Sequence, residues 1–185
     1  MKPIIFSTEM VSAILGGRKT QTRRVINTRP KNRADFVHIS HNLHFEGSEK
    51  FTWAGYGNPD DPVYFKCPYG KPGDILWVRE TWCLADITNE LFYKSDNPSL
   101  IPQWRPSIYM PRKAARLFLR VKNIRVERLQ DITEIDATHE GINKHLGIRA
   151  RYDFSKLWDS INGKRGYGWD TNPWVWVIEF ERMEK

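Results

Sequence analysis

The sequence predicts an α+β fold: a small mixed β-barrel with short helices at the barrel mouths and two long loop insertions. Three observations carry that prediction. Apolar side chains alternate, as on strands with one buried face, within 75–82, 116–128 and 174–180. Helix signals fall at 8–16, ahead of these strands, and at 134–140 and 155–162, before the last of them, without the regular strand-helix alternation of a parallel sheet, which suits a barrel plugged by helices. The 185 residues, 40% of them hydrophobic, suffice for one core, so 1–185 reads as a single domain.

In chain order, residues 3–6 read as a short strand. Ser7 or Thr8 suits the cap of a helix that sets Met10, Val11, Ile14 and Leu15 on one side, and Gly16-Gly17 ends it. From about 27 to 73, Pro, Gly, Asn and Asp are frequent and no period holds; this is the first insertion, with one or two short strands around Val37 and Tyr64. Lys71-Pro72-Gly73-Asp74 is a turn before the strand Ile75 to Trp82. With Leu76, Val78 and Trp82 facing inward, Glu80 faces inward too, and an unpaired buried carboxylate costs several kcal/mol, roughly, so it needs a cation or a donor. A solvated glutamate at the strand end is the plainer alternative. The second insertion, 84–115, contains Trp104-Arg105-Pro106 and Tyr109-Met110-Pro111-Arg112.

Arg116 to Arg128 reads as a strand pair whose alternation slips near Asn123, the mark of a bulge or bend. Thr133-Glu134-Ile135-Asp136 is a capping box for a helix that stops at Gly141, leaving Glu140 in its last turn. Phe154, Leu157, Trp158 and Ile161 recur at i, i+3, i+4, i+7, which predicts a third helix over 155–162. Residues 164–169 read as a turn, with a nucleic-acid contact through their Gly, Arg and aromatic mix as the alternative, before the closing strand, where Trp174, Trp176, Ile178 and Phe180 share a face.

The charge is unevenly placed. Residues 1–33 hold eight Lys/Arg against one acid, Glu9, and the remaining 21 of each sign cancel, so the whole net charge of +7 lies there. A concentrated cationic patch calls for an anionic partner, and eight Trp, nine Phe and seven Tyr offer surfaces on which bases stack. No apolar run is long enough for a signal peptide or a membrane span, and Cys67 and Cys83 form no CxxC, so a cytoplasmic protein with reduced thiols is expected. His38, His41 and His44 lack the partners and spacing of a metal site, and no phosphate-binding loop, dinucleotide fingerprint or GxSxG occurs; neither metal nor cofactor is expected.

What remains is Lys19 with Thr22, which meet only if the chain curls between them after the two glycines. Lys19 is the one cation of the cluster whose proton is removable, and crowding by Arg18, Arg23 and Arg24 would lower its pKa toward that of a general base. It also reads as one more phosphate-binding lysine, and Glu140 as an exposed helical carboxylate.

Gly17-Arg18-Lys19-Thr20-Gln21-Thr22-Arg23 resembles the GxKxxTxR signature of ASCH domains, a PUA-like family of small β-barrels with RNA-related functions. Pro72-Gly73-Asp74-Ile75-Leu76-Trp77-Val78 is similar to the family's "GD.L.V" turn and strand, and Ile132 through Gly141 resembles its "LTEEDA..EG" helix. In length the chain resembles a larger, prophage-associated group; the insertions have no counterpart in the compact members that act as N(4)-acetylcytidine amidohydrolases. The resemblance implies catalytic roles for Lys19, Thr22 and Glu140, and a cleft between the first helix and the capping-box helix. With the basic cluster it leads us to expect a nucleoside, RNA or single-stranded nucleic acid as ligand, contacted by Arg18, Thr20, Arg23, Arg24, Glu80, Trp82, Tyr109 and Arg112. A non-catalytic RNA or single-stranded DNA binding module, or a ribonuclease-like ASCH protein, is the alternative.

Overall fold

A computed structural model of the protein describes residues 1–27, 38–40, 53–58, 61–85, 88–96, 99, 103–142 and 149–183. The elements run β1 (Lys2–Ile5), α1 (Thr8–Leu15), β2 (Gln21–Val25), β3 (His38–Ser40), β4 (Trp53–Asn58), β5 (Asp61–Lys66), β6 (Ile75–Arg79), β7 (Trp82–Leu84), β8 (Leu91–Tyr93), β9 (Phe118–Arg128), α2 (Glu134–His139), α3 (Ala150–Asn162) and β10 (Trp174–Arg182). The class is mixed α+β. Five strands form the central sheet in the order β1-β6-β9-β10-β2, with β1 and β6 parallel and the other pairs antiparallel.

The sheet is covered on both faces. Ile4, Leu76, Val78, Leu119, Val121, Trp176 and Ile178 pack on Val11 and Ile14 of α1. On the other side Val175 and Val177 meet Ala137 of α2 and Phe154 and Trp158 of α3. Each such side chain contributes about 1.5–3 kcal/mol on leaving water. The continuous apolar run from Trp174 to Ile178 belongs to a strand buried on two sides, not one, because α3 covers the face opposite α1.

Several expected elements are rearranged. The strand predicted over 75–82 breaks after Arg79, and β7 pairs with β8 in a separate sheet. The break falls at Glu80, whose N–H donates to Met110 Sδ at 3.3 Å. Its carboxylate accepts from Arg116 Nε at 2.9 Å and from Ser95 Oγ at 2.8 Å, so the inward glutamate has the cation it needs. Residues 118–128 form one strand rather than a pair. The predicted phase slip is a bulge at Lys122: Glu179 lies opposite Asn123, and Phe180 opposite Val121. The first insertion contains a three-stranded antiparallel sheet, β3-β4-β5, richer than the one or two strands expected; Val37 lies outside the described residues.

Gln21 and Thr22, which a curl from Lys19 to Thr22 would include, are instead extended at the start of β2 and pair with Glu179 and Ile178 of β10. No backbone ladder among the described residues closes the sheet into the predicted barrel: β1 and β2 are its two edges. The Arg24 side chain spans that seam, donating from Nη2 to Ile5 O at 2.9 Å. Among the described residues no helix is long and apolar enough to cross a membrane. Cys67 and Cys83 are free and buried, and burial pushes the Cys67 thiol up to about 11.

Candidate functional site

Two chain ends meet beside the seam. α1 stops where the Gly16 N–H returns to Ser12 O at 3.0 Å, Gly17 takes a positive φ of 71°, and Arg18 and Lys19 both donate backbone N–H groups to Ala13 O. The chain is thereby turned so that Lys19 makes an antiparallel bridge with Glu140 at the end of α2. Thr20 is then held on both sides, its N–H on His139 O at 2.9 Å and its carbonyl under the Phe180 N–H at 2.8 Å. α2 is itself positioned by the predicted capping box: Thr133 Oγ1 accepts from Asp136 N at 3.0 Å, and Thr133 N donates to Asp136 Oδ2.

Strand alternation then sorts the basic cluster onto two faces of β2. Thr22 and Arg24 lie opposite Ile178 and Trp176, on the α1 side, whereas Gln21 and Arg23 turn toward α2 and α3. Lys19 Nζ donates to both Glu140 Oε2 and the Glu140 carbonyl at 2.8 Å, with both side chains at most 4% exposed. Arg23 takes the other carboxylate oxygen, donating from Nη1 to Oε1 at 3.1 Å. Arg24 donates to the Thr22 hydroxyl from Nη1 and lies 5.0 Å from the centre of the Phe6 ring. Counted from Gly17, the arginine of the GxKxxTxR signature falls on this Arg24.

Burial is the largest influence on Lys19 and holds its pKa below the ordinary 10.5; Glu140 pulls upward, and Arg24 and Arg23 push further down. Burial also lowers Arg24, against the opposing influence of Tyr69 and Glu140. Lys19, Thr22, Arg23, Arg24 and Glu140 all line one cleft of about 500 Å³. Its walls are apolar and aromatic: Phe6, Met10 and Tyr69 on one side, Phe154, Leu157 and Trp158 of α3 on the other. The cleft thus sets one buried amine and one buried hydroxyl among apolar walls.

The other expected ligand contacts lie elsewhere. Arg18 and Thr20 are exposed and do not line the cleft, and Arg18 Nη1 donates to Gly141 O at 3.3 Å. Glu80 and Trp82 belong to a separate cluster, where Trp82 packs with Met110 and Ala114 beneath the Arg105 guanidinium. Tyr109, 72% exposed, and Arg112 follow Ser107, which reaches the cleft mouth, but neither lines it. Among the described residues no three His, Cys, Asp or Glu side chains form a metal-binding group; His41 and His44 lie outside them.

Residue patterns do not point to Tyr69, Glu127, Asp136 or Asn162 as parts of the site, whereas Arg165 belongs to the 164–169 loop whose Gly, Arg and aromatic mix also suits a nucleic-acid contact. Tyr69, Asn162 and Arg165 line the cleft, and Glu127 and Asp136 face Arg23. The α3 stripe of Phe154, Leu157 and Trp158 was visible, but its period is that of any core helix.

No protein-family model matches the chain, and no curated protein matches it at significance. Among solved structures, it is similar to the crystal structure of protein EF3133 from Enterococcus faecalis V583, described under the family model DUF984. The TM-score is 0.46 at 9% sequence identity, over 99% of this chain and 81% of that chain.

Proposed function

We propose that the cleft binds a cytosine nucleoside, free or within RNA, and hydrolyses the amide of an N(4)-acylated cytidine. The observation that carries this reading is the convergence of Lys19, Thr22 and Glu140 on one cleft, with Lys19 and Glu140 joined at 2.8 Å. The ASCH resemblance, which assigns roles to the same three residues, supports it. So do the aromatic side chains that line the cleft, Phe6, Tyr69, Phe154 and Trp158. A PUA-like fold with its barrel left open at the β1/β2 seam is the framework this reading assigns.

In the reaction, Lys19 in its neutral form takes a proton from Thr22 or from a water, and the oxygen attacks the acyl carbon. The proton passes to Glu140 and on to the departing N4 amine as the C–N bond breaks. If Thr22 carries the acyl group, water hydrolyses the ester in a second step. Oxyanion stabilisation falls to Arg24, whose Nη1 already lies on the Thr22 hydroxyl, whereas the Arg23 guanidinium is neutralised by Glu127, Asp136 and Glu140.

Lys19→Ala and Glu140→Gln are each expected to lower kcat/KM on N(4)-acetylcytidine by about 10²-fold or more, with far smaller effects on binding of cytidine. A second reading, a non-catalytic RNA or single-stranded DNA module, draws on Arg24 and Arg165, which open onto the same cleft. The two separate on Glu140→Gln: a pure binder of anionic ligands keeps or gains affinity when that charge is removed. Tighter binding together with no hydrolysis by the unmodified protein across several acylated nucleosides would overturn the enzymatic reading.

A further inference from the structure

Behind the cleft, on the α2 and α3 side of the sheet, charges of alternating sign run away from Lys19. Glu140 Oε1 accepts from Arg23 Nη1 at 3.1 Å, leaving Oε2 for Lys19. Arg23, whose side chain is fully buried, is gripped from behind by Glu127 on β9: its Nε and Nη2 both donate to Glu127 Oε1, the former at 3.0 Å. The second oxygen of Glu127 accepts from Arg125 Nε at 2.9 Å, and Arg125 continues to Asp136 and to the half-exposed Glu179. Gln21 fixes Asp136 through Oδ1 at 3.1 Å.

A guanidinium buried this deeply needs its carboxylates, since removing one partner of such a pair is far more costly than never having formed it. The planar fork also dictates direction. With Nε and Nη2 committed to Glu127, Nη1 is left aimed at Glu140. We propose that Glu127 is a positioning residue for the cleft: through Arg23 it sets the orientation of the Glu140 carboxylate and the charge felt by the Lys19 amine. This rests on the reading of Lys19 and Glu140 as the working pair, but its consequence for the amine is physical and independent of any substrate.

Lys19 is faced by Glu140 at the end of α2, by Arg23 and Arg24 of β2, and by the Phe6 ring at 5.6 Å. Glu127 is faced by Arg23 and Arg125. Removing the Glu127 charge leaves Arg23 less neutralised and makes the ammonium of Lys19 less favourable. Removing Arg125 frees Glu127 to neutralise Arg23 more fully, with the opposite effect.

The test is an NMR titration of the Lys19 Cε and Hε signals in the full chain, assigned by their loss in Lys19→Arg, for the unmodified protein, Glu127→Gln and Arg125→Gln. Glu127→Gln is expected to lower the Lys19 midpoint by about half a pH unit or more, and Arg125→Gln to raise it, on the scale of one partly screened charge. A purely structural role would lower the melting temperature and leave both midpoints in place, and that result overturns the proposal. Should Glu127→Gln not fold, the upward shift in Arg125→Gln still decides, and its absence is equally fatal. Hydrolysis of N(4)-acetylcytidine is measured alongside. Shifted midpoints without hydrolysis sustain the Glu127 role and defeat the amidohydrolase reading; hydrolysis with unmoved midpoints does the reverse.

Discussion

At the scale of single residues, burial rather than charge count decides what each cation does. Lys19 and Arg23 are both almost wholly buried, yet only Lys19 has a proton to give up. Its pKa lies below 10.5 because burial and the neighbouring guanidinium groups outweigh Glu140, so the neutral amine grows in as pH rises through that lowered value. The rate of the proposed hydrolysis is therefore expected to rise with pH along an ionisation below 10.5. Arg24→Gln removes a downward influence and should move that limb to higher pH, which a pH profile of kcat/KM reads directly. The same logic applies to the second buried carboxylate. Arg116→Ala strands Glu80, which is 1% exposed, and is expected to cost about 3 kcal/mol in urea unfolding, whereas Glu80→Gln in the same background should recover part of the loss.

At the scale of elements, the site exists because the ends of α1 and α2 abut. Gly141 makes that contact. Its φ is +95°, and a Cβ there would lie 3.0 Å from Ala13 Cβ and 3.1 Å from Lys19 Cβ. Gly141→Ala is thus expected to lower stability by about 1–2 kcal/mol from backbone strain alone and to displace Lys19, so that activity falls by more than the folded fraction does. Thr133→Ala gives the contrast: loss of the α2 cap costs about 1 kcal/mol, with activity of the folded protein much less affected. Thermal melts paired with single-turnover rates distinguish the two. Equal loss of activity in both variants would mean that the Gly141 contact has no special hold on Lys19.

At the scale of the whole molecule, the +7 concentrated before residue 34 is not all available to a ligand. Arg23 spends its charge on Glu127, Asp136 and Glu140, inside the protein. If single-stranded RNA follows the basic surface, Arg18→Gln and Arg24→Gln together should flatten the slope of log K against log salt by up to about 1.4, at roughly 0.7 per phosphate contact. Arg23→Gln should lower stability and leave that slope alone. A slope unchanged by the double variant would mean that the cluster faces something other than phosphate.

The sequence by itself determined what depends on near neighbours. The caps at Ser7 and Thr133 and the stop at Gly16-Gly17 are written within a few residues and stand where they were expected. The third helix ends as predicted at Asn162 but begins at Ala150 rather than 155, and of its stripe Phe154 and Trp158 are buried while Ile161 is exposed. The phase slip of β9 was legible as a broken alternation, and the need of Glu80 for a cation as a charge on an apolar face. Lys19, Thr22 and Glu140, singled out by the motif resemblance, line one cleft. Tertiary structure alone decided which strands are neighbours, and with them the partners. Lys19 and Glu140 are 121 positions apart, and Arg23 and Glu127 are 104 apart. Pairing at such distances is set by strand order and register, which no local period encodes. Register also placed Arg23 and Arg24, adjacent in the chain, on opposite faces of one edge strand: one is held in a buried lattice of carboxylates, and the other lies on the Thr22 hydroxyl in the cleft.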